Sequence, residues 1–306
     1  MSFSELCVTT NFTFLTGASH PEEYIRRACK LNLKSIAITD INSVAGVVRG
    51  YRELLQIQED ILTDKNNTTE NINKYNKEIS VPKFIPGSCL KTNSGIFITA
   101  LPININGWSN LCSLLSKGYR RSKKGECNID LKEITNFSKD LILLLHPPYS
   151  FNLSSYQNIW MTAAKKISSQ CKKSFIIMSP KYNGLDKIHF EEVINMGKEL
   201  KLKPVASATP IMHDKSRREL VDILTCIRGK KIIDNINYDA LKNNELYLRS
   251  SEEIEEIFQA HPEAIKNATD VSNQCRFSLN ELKYNYPSEV LGDEVPIVRL
   301  RHLMEK

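Results

Sequence analysis

An α/β fold with parallel strand pairing, in an open sheet or a barrel, followed by a helical extension, is what this 306-residue sequence predicts. Three observations carry that reading. Short β-rich runs alternate with amphipathic stretches up to about residue 213. From Asp214 onward only helical patterns remain. The composition, 41% hydrophobic and 25% charged, is that of a globular chain able to bury a sizeable core.

The first strand is Ser4 to Val8. The turn after it, NFTFLTGAS, places Phe12, Phe14 and Leu15 in the interior and uses Gly17 for the turn itself. Pro21 to Leu31 is a helix, with Ser19 as its cap, Pro21 in its first turn and Glu22 and Glu23 at its positive end. Lys34 to Thr39 is a strand and Ser43 to Gln58 a helix. The stretch 59–80, EDILTDKNNTTENINKYNKEIS, is poor in apolar residues and reads as a polar surface loop or insertion. Strands follow at Lys83 to Pro86, Ile96 to Ala100, Leu141 to His146, Phe175 to Met178 and Pro204 to Ala208, giving seven candidate strands. Helices fall between them at Trp108 to Gly118, Tyr156 to Ser168 and Phe190 to Leu200. The segments DKSRRELVDILTCIRGKK, SSEEIEEIFQ and HPEAIKNATDVSNQC make a helical extension over 214–280, with a capped start at Ser250 or Ser251. A Pro-punctuated tail occupies 281–306. The first domain is therefore expected at 1–213.

Composition narrows the function. A formal net charge of +6 is compatible with polyanion contact but is too diffuse to argue for it unaided. The eight cysteines include no C-x-x-C pair and follow no signal-peptide pattern, which points to a reduced cytoplasm and to buried apolar thiols. No apolar run approaches the ~20 residues of a membrane span.

The six histidines are His20, His146, His189, His213, His261 and His302, and no His-x-His or His-x-x-x-His occurs. Hydrolytic metal sites draw neutral nitrogen and hard oxygen donors from several strand ends. Asp40 after SIAIT, His146 after LILLL and His213 after PVASA are the residual candidates for one rim. Each has a plainer reading: Asp40 as a cap, His146 as a turn residue satisfied by backbone, His213 as a cap for the helix beginning at Asp214. His20 and His261 each open a His-Pro-Glu helix start. No P-loop, dinucleotide-binding glycine motif, nucleophile elbow or Asp-x-Asp metal pair is present. Basic residues cluster at Arg120, Arg121, Lys123 and Lys124, at Arg217 and Arg218, and at Arg228, Lys230 and Lys231, as solvated faces or as contacts to DNA or an acidic partner.

Taken together, ELCVTTNFTFLTGASHPEEYIRRACKLNLKSIAITDINSVAGVVRGY, ALPININGWSNLCSLLSKGYRRSKKGEC, PIMHDKSRRELVDILTCIRGKK and the run from YLRSSEEIEEIF through CRFSLNELKYNYPSE resemble the opening of bacterial DnaE-type DNA polymerase alpha subunits, in their error-prone, damage-inducible branch. The resemblance spans nearly the whole chain outside the Asn-rich insertion. It implies a PHP domain, a distorted seven-stranded β/α barrel of TIM-barrel type with its metal site at the strand ends, followed by the helical extension. It also implies that the positions of the metal ligands are held here by Cys7, Thr9, Thr16, Cys89, Thr209 and Ile211, with Asp40 alone persisting. The barrel is then a scaffold without bound metal or catalytic residues. The family's palm would lie beyond Lys306, with Mg and dNTP as its cofactors, and the partners implied are the rest of the polymerase, DNA through it, and other translesion or replisome subunits. The alternatives are a metal-dependent phosphoesterase or 3′-5′ exonuclease with a rearranged site, and an accessory subunit of a polymerase encoded elsewhere.

Overall fold

The computed structural model describes residues 3–67, 80–148, 154–236, 239–283 and 295–305. In chain order it contains β1 (Ser4–Val8), α1 (Pro21–Lys30), β2 (Ser35–Ile38), α2 (Ala45–Asn67), β3 (Lys83–Pro86), β4 (Ser88–Lys91), β5 (Phe97–Pro102), α3 (Ile105–Arg120), α4 (Leu131–Asn136), β6 (Leu141–Leu145), α5 (Ser154–Gln170), β7 (Ser174–Met178), α6 (Asp186–Leu200), β8 (Lys203–Ala206), α7 (Arg218–Gly229), α8 (Ser251–Ile257), α9 (Pro262–Gln274) and α10 (Pro296–Met304). No described helix is long and apolar enough to cross a membrane.

The expected strands all form, and β4 is an addition that the sequence did not reveal. β1, β2 and β3 make a three-stranded parallel sheet. β4 to β8 make a five-stranded sheet in which β4, β5 and β6 run antiparallel in turn while β6, β7 and β8 are parallel. A seven-stranded closed ring is therefore not what the described residues show. The ladder turns a corner at Pro86 and Gly87. Pro86 has no N–H to extend the pairing. Gly87 N–H donates to the Ile38 carbonyl at 3.1 Å, and Cys89 N–H donates to that of Asp40 at 3.0 Å. A Cβ on Gly87 would stand 2.7 Å from Leu101 Cδ2 and 3.0 Å from the Ala100 carbonyl oxygen, so only glycine fits the corner. This corner explains why SCLK escaped notice: it continues β3 with no turn residues beyond a single glycine.

Between β1 and β8 the outer edges meet without a regular ladder. Thr9 N–H donates to the Pro210 carbonyl at 3.0 Å, and the carboxylate of Glu5 bridges to Ser207 and Ala208. Strands β1, β2 and β6 are buried along their whole length, as parallel strands covered on both faces should be.

Two local expectations are corrected. Residues 59–67 continue α2 as helix rather than loop, while 68–79 lie outside the described residues. Side-chain bonds along the helix support this polar end: Gln56 Nε2 donates to Asp60 Oδ1 at 2.8 Å, and Thr63 Oγ1 donates to the Glu59 carbonyl at 2.9 Å. In the turn after β1, Phe14 is 82% exposed and Phe12 and Leu15 are only half-buried, so these residues do not fill the interior. Thr10 and Thr13 go inside instead, drawn by a buried carboxylate. Gly17 is required by proximity: a Cβ there would lie 2.0 Å from the Thr10 carbonyl oxygen.

The helices after residue 250 pack into the main core. α9 lies against β8 and β1, where Asn267 Nδ2 donates to the Pro204 carbonyl at 2.8 Å and Ser272 Oγ meets Ser35 Oγ at 2.7 Å. Phe258, fully buried, stacks on Phe190 with centroids 5.1 Å apart. At the far side Trp108 of α3 stacks on Phe277 at 5.3 Å.

Candidate functional site

The carboxyl ends of β1, β2, β6, β7 and β8 deliver the polar residues of one mouth, the place where barrel and open α/β folds put their chemistry. Asp40 follows β2 and is 1% exposed. Its Oδ1 accepts from Thr10 N–H and from the Thr13 hydroxyl, and its Oδ2 accepts from the Thr10 hydroxyl, each at 2.8 Å. Burial pushes its pKa up, and these donors oppose the rise. Both oxygens are thus committed to the turn after β1. Asp40 caps that turn, rather than a helix.

A second centre forms around Thr99 of β5. Its hydroxyl meets His146 Nε2 at 2.8 Å and Cys7 Sγ at 3.7 Å, and Cys89 stands opposite Thr99 in the ladder. The backbone of His146 is fixed as well: its N–H donates to the Phe97 carbonyl, and its own carbonyl accepts from Trp160 Nε1 at 2.8 Å. Burial, aided by the charge of Lys181, drives the His146 pKa down to about 3. Burial also pushes the Cys7 thiol far up and that of Cys89 to about 12. A neutral imidazole and two protonated thiols surround a hydroxyl. Such thiols are poor ligands and poor nucleophiles.

Glu5, fully buried, was not recognised from the sequence. Its Oε1 accepts from Cys7 N–H at 3.0 Å and from the Ser207 hydroxyl at 2.5 Å, and its Oε2 accepts from Ala208 N–H at 2.9 Å. Burial raises its pKa against these bonds. The available signal was an acid inside a strand with no solvent-facing side. Thr209, in left-handed backbone at φ 45°, meets Ser179 Oγ at 3.3 Å, and Lys181 Nζ donates to the same Ser179 oxygen at 3.0 Å.

His213 lies elsewhere on the rim. Its N–H donates to Ser19 Oγ at 2.9 Å, and Ser19 Oγ meets His213 Nδ1 at 2.8 Å. Burial lowers its pKa while Glu23, 3.9 Å away, opposes the shift. Ser19 is therefore occupied, and His20 rather than Ser19 begins α1, in a capping box with Glu23. Asp214 caps the turn that follows His213 by accepting from Ser216 N–H.

Asp40, His146 and His213 are each engaged with different hydroxyls, and among the described residues no three His, Cys, Asp or Glu side chains form a group that could hold a metal ion. Thr9, Ile211 and Thr16, which the resemblance marks as former ligand positions, have other partners. Thr9 and Ile211 serve through their backbone, Thr9 N–H on Pro210 and Ile211 N–H on Leu246, while Thr16 Oγ1 accepts from Arg228 at 3.0 Å. The residues present do not fit the metal centre that the fold implies.

The basic clusters divide. Arg121 is held by Glu133 and the Asn128 carbonyl, Arg217 by Glu23, Arg218 by Asp222 and the Leu241 carbonyl, and Lys231 by Asp239. Arg228 donates to the Leu15 carbonyl at 2.9 Å. Arg120, Lys123, Lys124 and Lys230 are exposed and form no ion pair with described residues.

Comparison with known proteins adds to this geometry. Residues 5–176 match the family model described as PHP domain. The error-prone DNA polymerase of Ruegeria pomeroyi is 34% identical over 320 residues, covering 99% of this chain and 28% of that protein. That of Rhodopseudomonas palustris strain BisB5 is 33% identical over 289 residues, covering 94% of this chain and 24% of that protein. The chain thus spans about a quarter of the length of these curated relatives. Among solved structures, a putative metal-dependent phosphoesterase from Bifidobacterium adolescentis aligns with a TM-score of 0.44 and 10% identity, over 68% of this chain and 87% of that one.

Proposed function

This chain belongs to the PHP domain family, and from that premise we propose that it is the non-hydrolytic PHP module of an error-prone DNA polymerase. The single observation that carries the reading is the state of the mouth. Asp40 has both oxygens occupied by Thr10 and Thr13, and the positions that the resemblance marks as cation ligands hold Cys7, Thr9, Thr16, Cys89, Thr209 and Ile211. Protonated buried thiols and hydroxyls supply neither the charge nor the basic donors that a divalent cation requires.

Its role in this reading is architectural. The module buttresses a polymerase body whose palm, with Mg and dNTP, carries out lesion bypass. DNA reaches it through the larger protein, in the bacterial cytoplasm, alongside other translesion or replisome subunits. The module comprises the α/β region of 1–213 together with 214–280, whose helices α8 and α9 share its core rather than standing apart as an extension. A hydrolase built on Asp40, His146 and His213 finds no support in the geometry, since the three serve separate hydroxyl networks.

The test is a 3′-5′ exonuclease assay with this chain on 5′-labelled single-stranded DNA in Mn2+, Zn2+ or Mg2+. No cleavage above the no-enzyme blank is expected with any ion. Shortening of the strand that stops on chelation and is lost in Asp40→Asn would overturn the reading.

A further inference from the structure

We propose that the turn after β1 and the end of α7 form a binding site for single-stranded nucleic acid, in which Phe14 stacks on an unpaired base. This goes beyond the scaffold reading and does not depend on whether the mouth holds a metal. Phe14 is 82% exposed, an unusual position for a phenyl ring in a turn that is otherwise fixed. The turn is held from below by the Asp40 carboxylate on Thr10 and Thr13, and from the side by Arg228, which donates to the Leu15 carbonyl and the Thr16 hydroxyl. The ring is thus presented on an ordered backbone, so little ordering entropy is lost when a base stacks on it.

Beside it lies a pocket of about 250 Å3, whose lining includes the apolar Phe14, Leu220 and Leu224 and the polar Asn11, His20 and Arg217. It falls below the ~300 Å3 at which pockets for drug-sized ligands begin, which suits one planar ring. The Oδ1 atom of Asn11 is buried and accepts no hydrogen bond, while Asn11 Nδ2 donates to His20 Nδ1 at 2.9 Å.

Arg228 stands at the turn through its bonds to Leu15 and Thr16, and Arg217 on the pocket wall is held by Glu23. Residues 11–20 and 223–233 contain no Asp or Glu, and they carry Arg228, Lys230 and Lys231. Lys231 is held by Asp239, whereas Lys230 is exposed and without an ion pair among the described residues. An aromatic platform with adjacent cations is the pattern that binds single strands with little sequence preference.

The experiment measures fluorescence anisotropy of fluorescein-labelled dT15 with the 306-residue chain, in EDTA and at salt from 50 to 200 mM. Binding should weaken with salt. Phe14→Ala should lower affinity by at least ~5-fold, the lower limit for loss of one stacked base. Phe14→Trp should retain affinity and Phe14→Leu should match Phe14→Ala. Lys230→Ala should reduce the salt slope by about 0.7, the value for one phosphate contact on a single strand. Because Phe14 and Lys230 are exposed, these variants keep the fold, which circular dichroism verifies. The proposal is overturned by absence of binding, by duplex DNA of the same length binding as tightly, or by dependence on Lys123 and Lys124 instead of Phe14. Wild-type affinity in Phe14→Leu would also overturn it, since it would mark the patch as an apolar docking surface for a protein segment. Metal-dependent cleavage in the exonuclease assay would sink the scaffold reading and leave this one standing.

Discussion

Replacing Asp40 tests whether its carboxylate is a structural cap or a remnant ligand. In Asp40→Ala three donors, the N–H and hydroxyl of Thr10 and the hydroxyl of Thr13, lose their acceptor inside the protein. Each buried donor left without a partner costs ~1–3 kcal/mol, and the three share one acceptor, so the costs are not additive; a total of about 3 kcal/mol is expected. At roughly 2 °C per kcal/mol for a chain of this size, the midpoint of thermal unfolding should fall by ~6 °C. Asp40→Asn keeps an acceptor where Oδ1 sits, and the Thr10 hydroxyl can turn to accept from the new amide, so its cost should stay near 1 kcal/mol at neutral pH. The pH dependence adds an independent arm. Burial raises the folded-state pKa of Asp40 above its ordinary 3.8. The proton-linked stability is therefore complete below the unfolded value and is lost as pH rises through the folded one. The gap between wild type and Asp40→Asn should accordingly be widest in acid and narrow as pH rises. Calorimetric scans of the three proteins between pH 3.5 and 8 read both effects. An unchanged midpoint in Asp40→Ala would refute the capping role, and a gap that widens with rising pH would show that the Thr10 and Thr13 donors outweigh burial at this carboxylate.

Other substitutions probe the remaining network. Glu5→Gln should follow the same sign for the same reason, its penalty being largest below the ordinary 4.5 and shrinking at higher pH, as followed by urea unfolding. His146, held down to about 3 from 6.5, behaves oppositely: its contribution is complete above 6.5 and is lost as pH falls towards 3, and its ring signals should not titrate by NMR between pH 5 and 8. Thr99→Val leaves His146 Nε2 without its partner and should destabilise by about 1–3 kcal/mol in denaturant titration. Phe258→Ala removes the fully buried ring that stacks on Phe190 and should cost ~3–5 kcal/mol; a loss below 1 kcal/mol would show that α8 is only loosely attached.

Much of the fold was legible because strands buried on both faces write themselves as unbroken apolar runs: LILLL and SIAI need no neighbours to be recognised. β4 was not legible, since SCLK is short and follows β3 after one glycine, with pairing decided by the approach of Leu101 and Ala100 to Gly87. The helices after residue 250 could be placed from their caps, Ser250 and Pro262, but nothing local says that Phe258 meets Phe190 or that Asn267 reaches Pro204. In the site, Asp40 and His146 were legible as polar residues at strand ends. Their partners were not: Thr99 gathers His146 and Cys7 across 47 and 92 positions of sequence separation, and Glu5 looks like an ordinary polar residue until Ser207 and Ala208 close on it. The turn after β1 misled because aromatic rings were assigned inward on hydrophobicity, whereas one buried carboxylate drew Thr10 and Thr13 in and turned Phe14 out.

The most direct test of the account is metal content by inductively coupled plasma mass spectrometry on this chain, after equilibration with Zn2+ or Mn2+ and exhaustive dialysis. The account predicts far less than one ion per chain, with the same thermal midpoint before and after chelation. Two or more retained ions per chain, with a midpoint that falls when they are stripped, would contradict it.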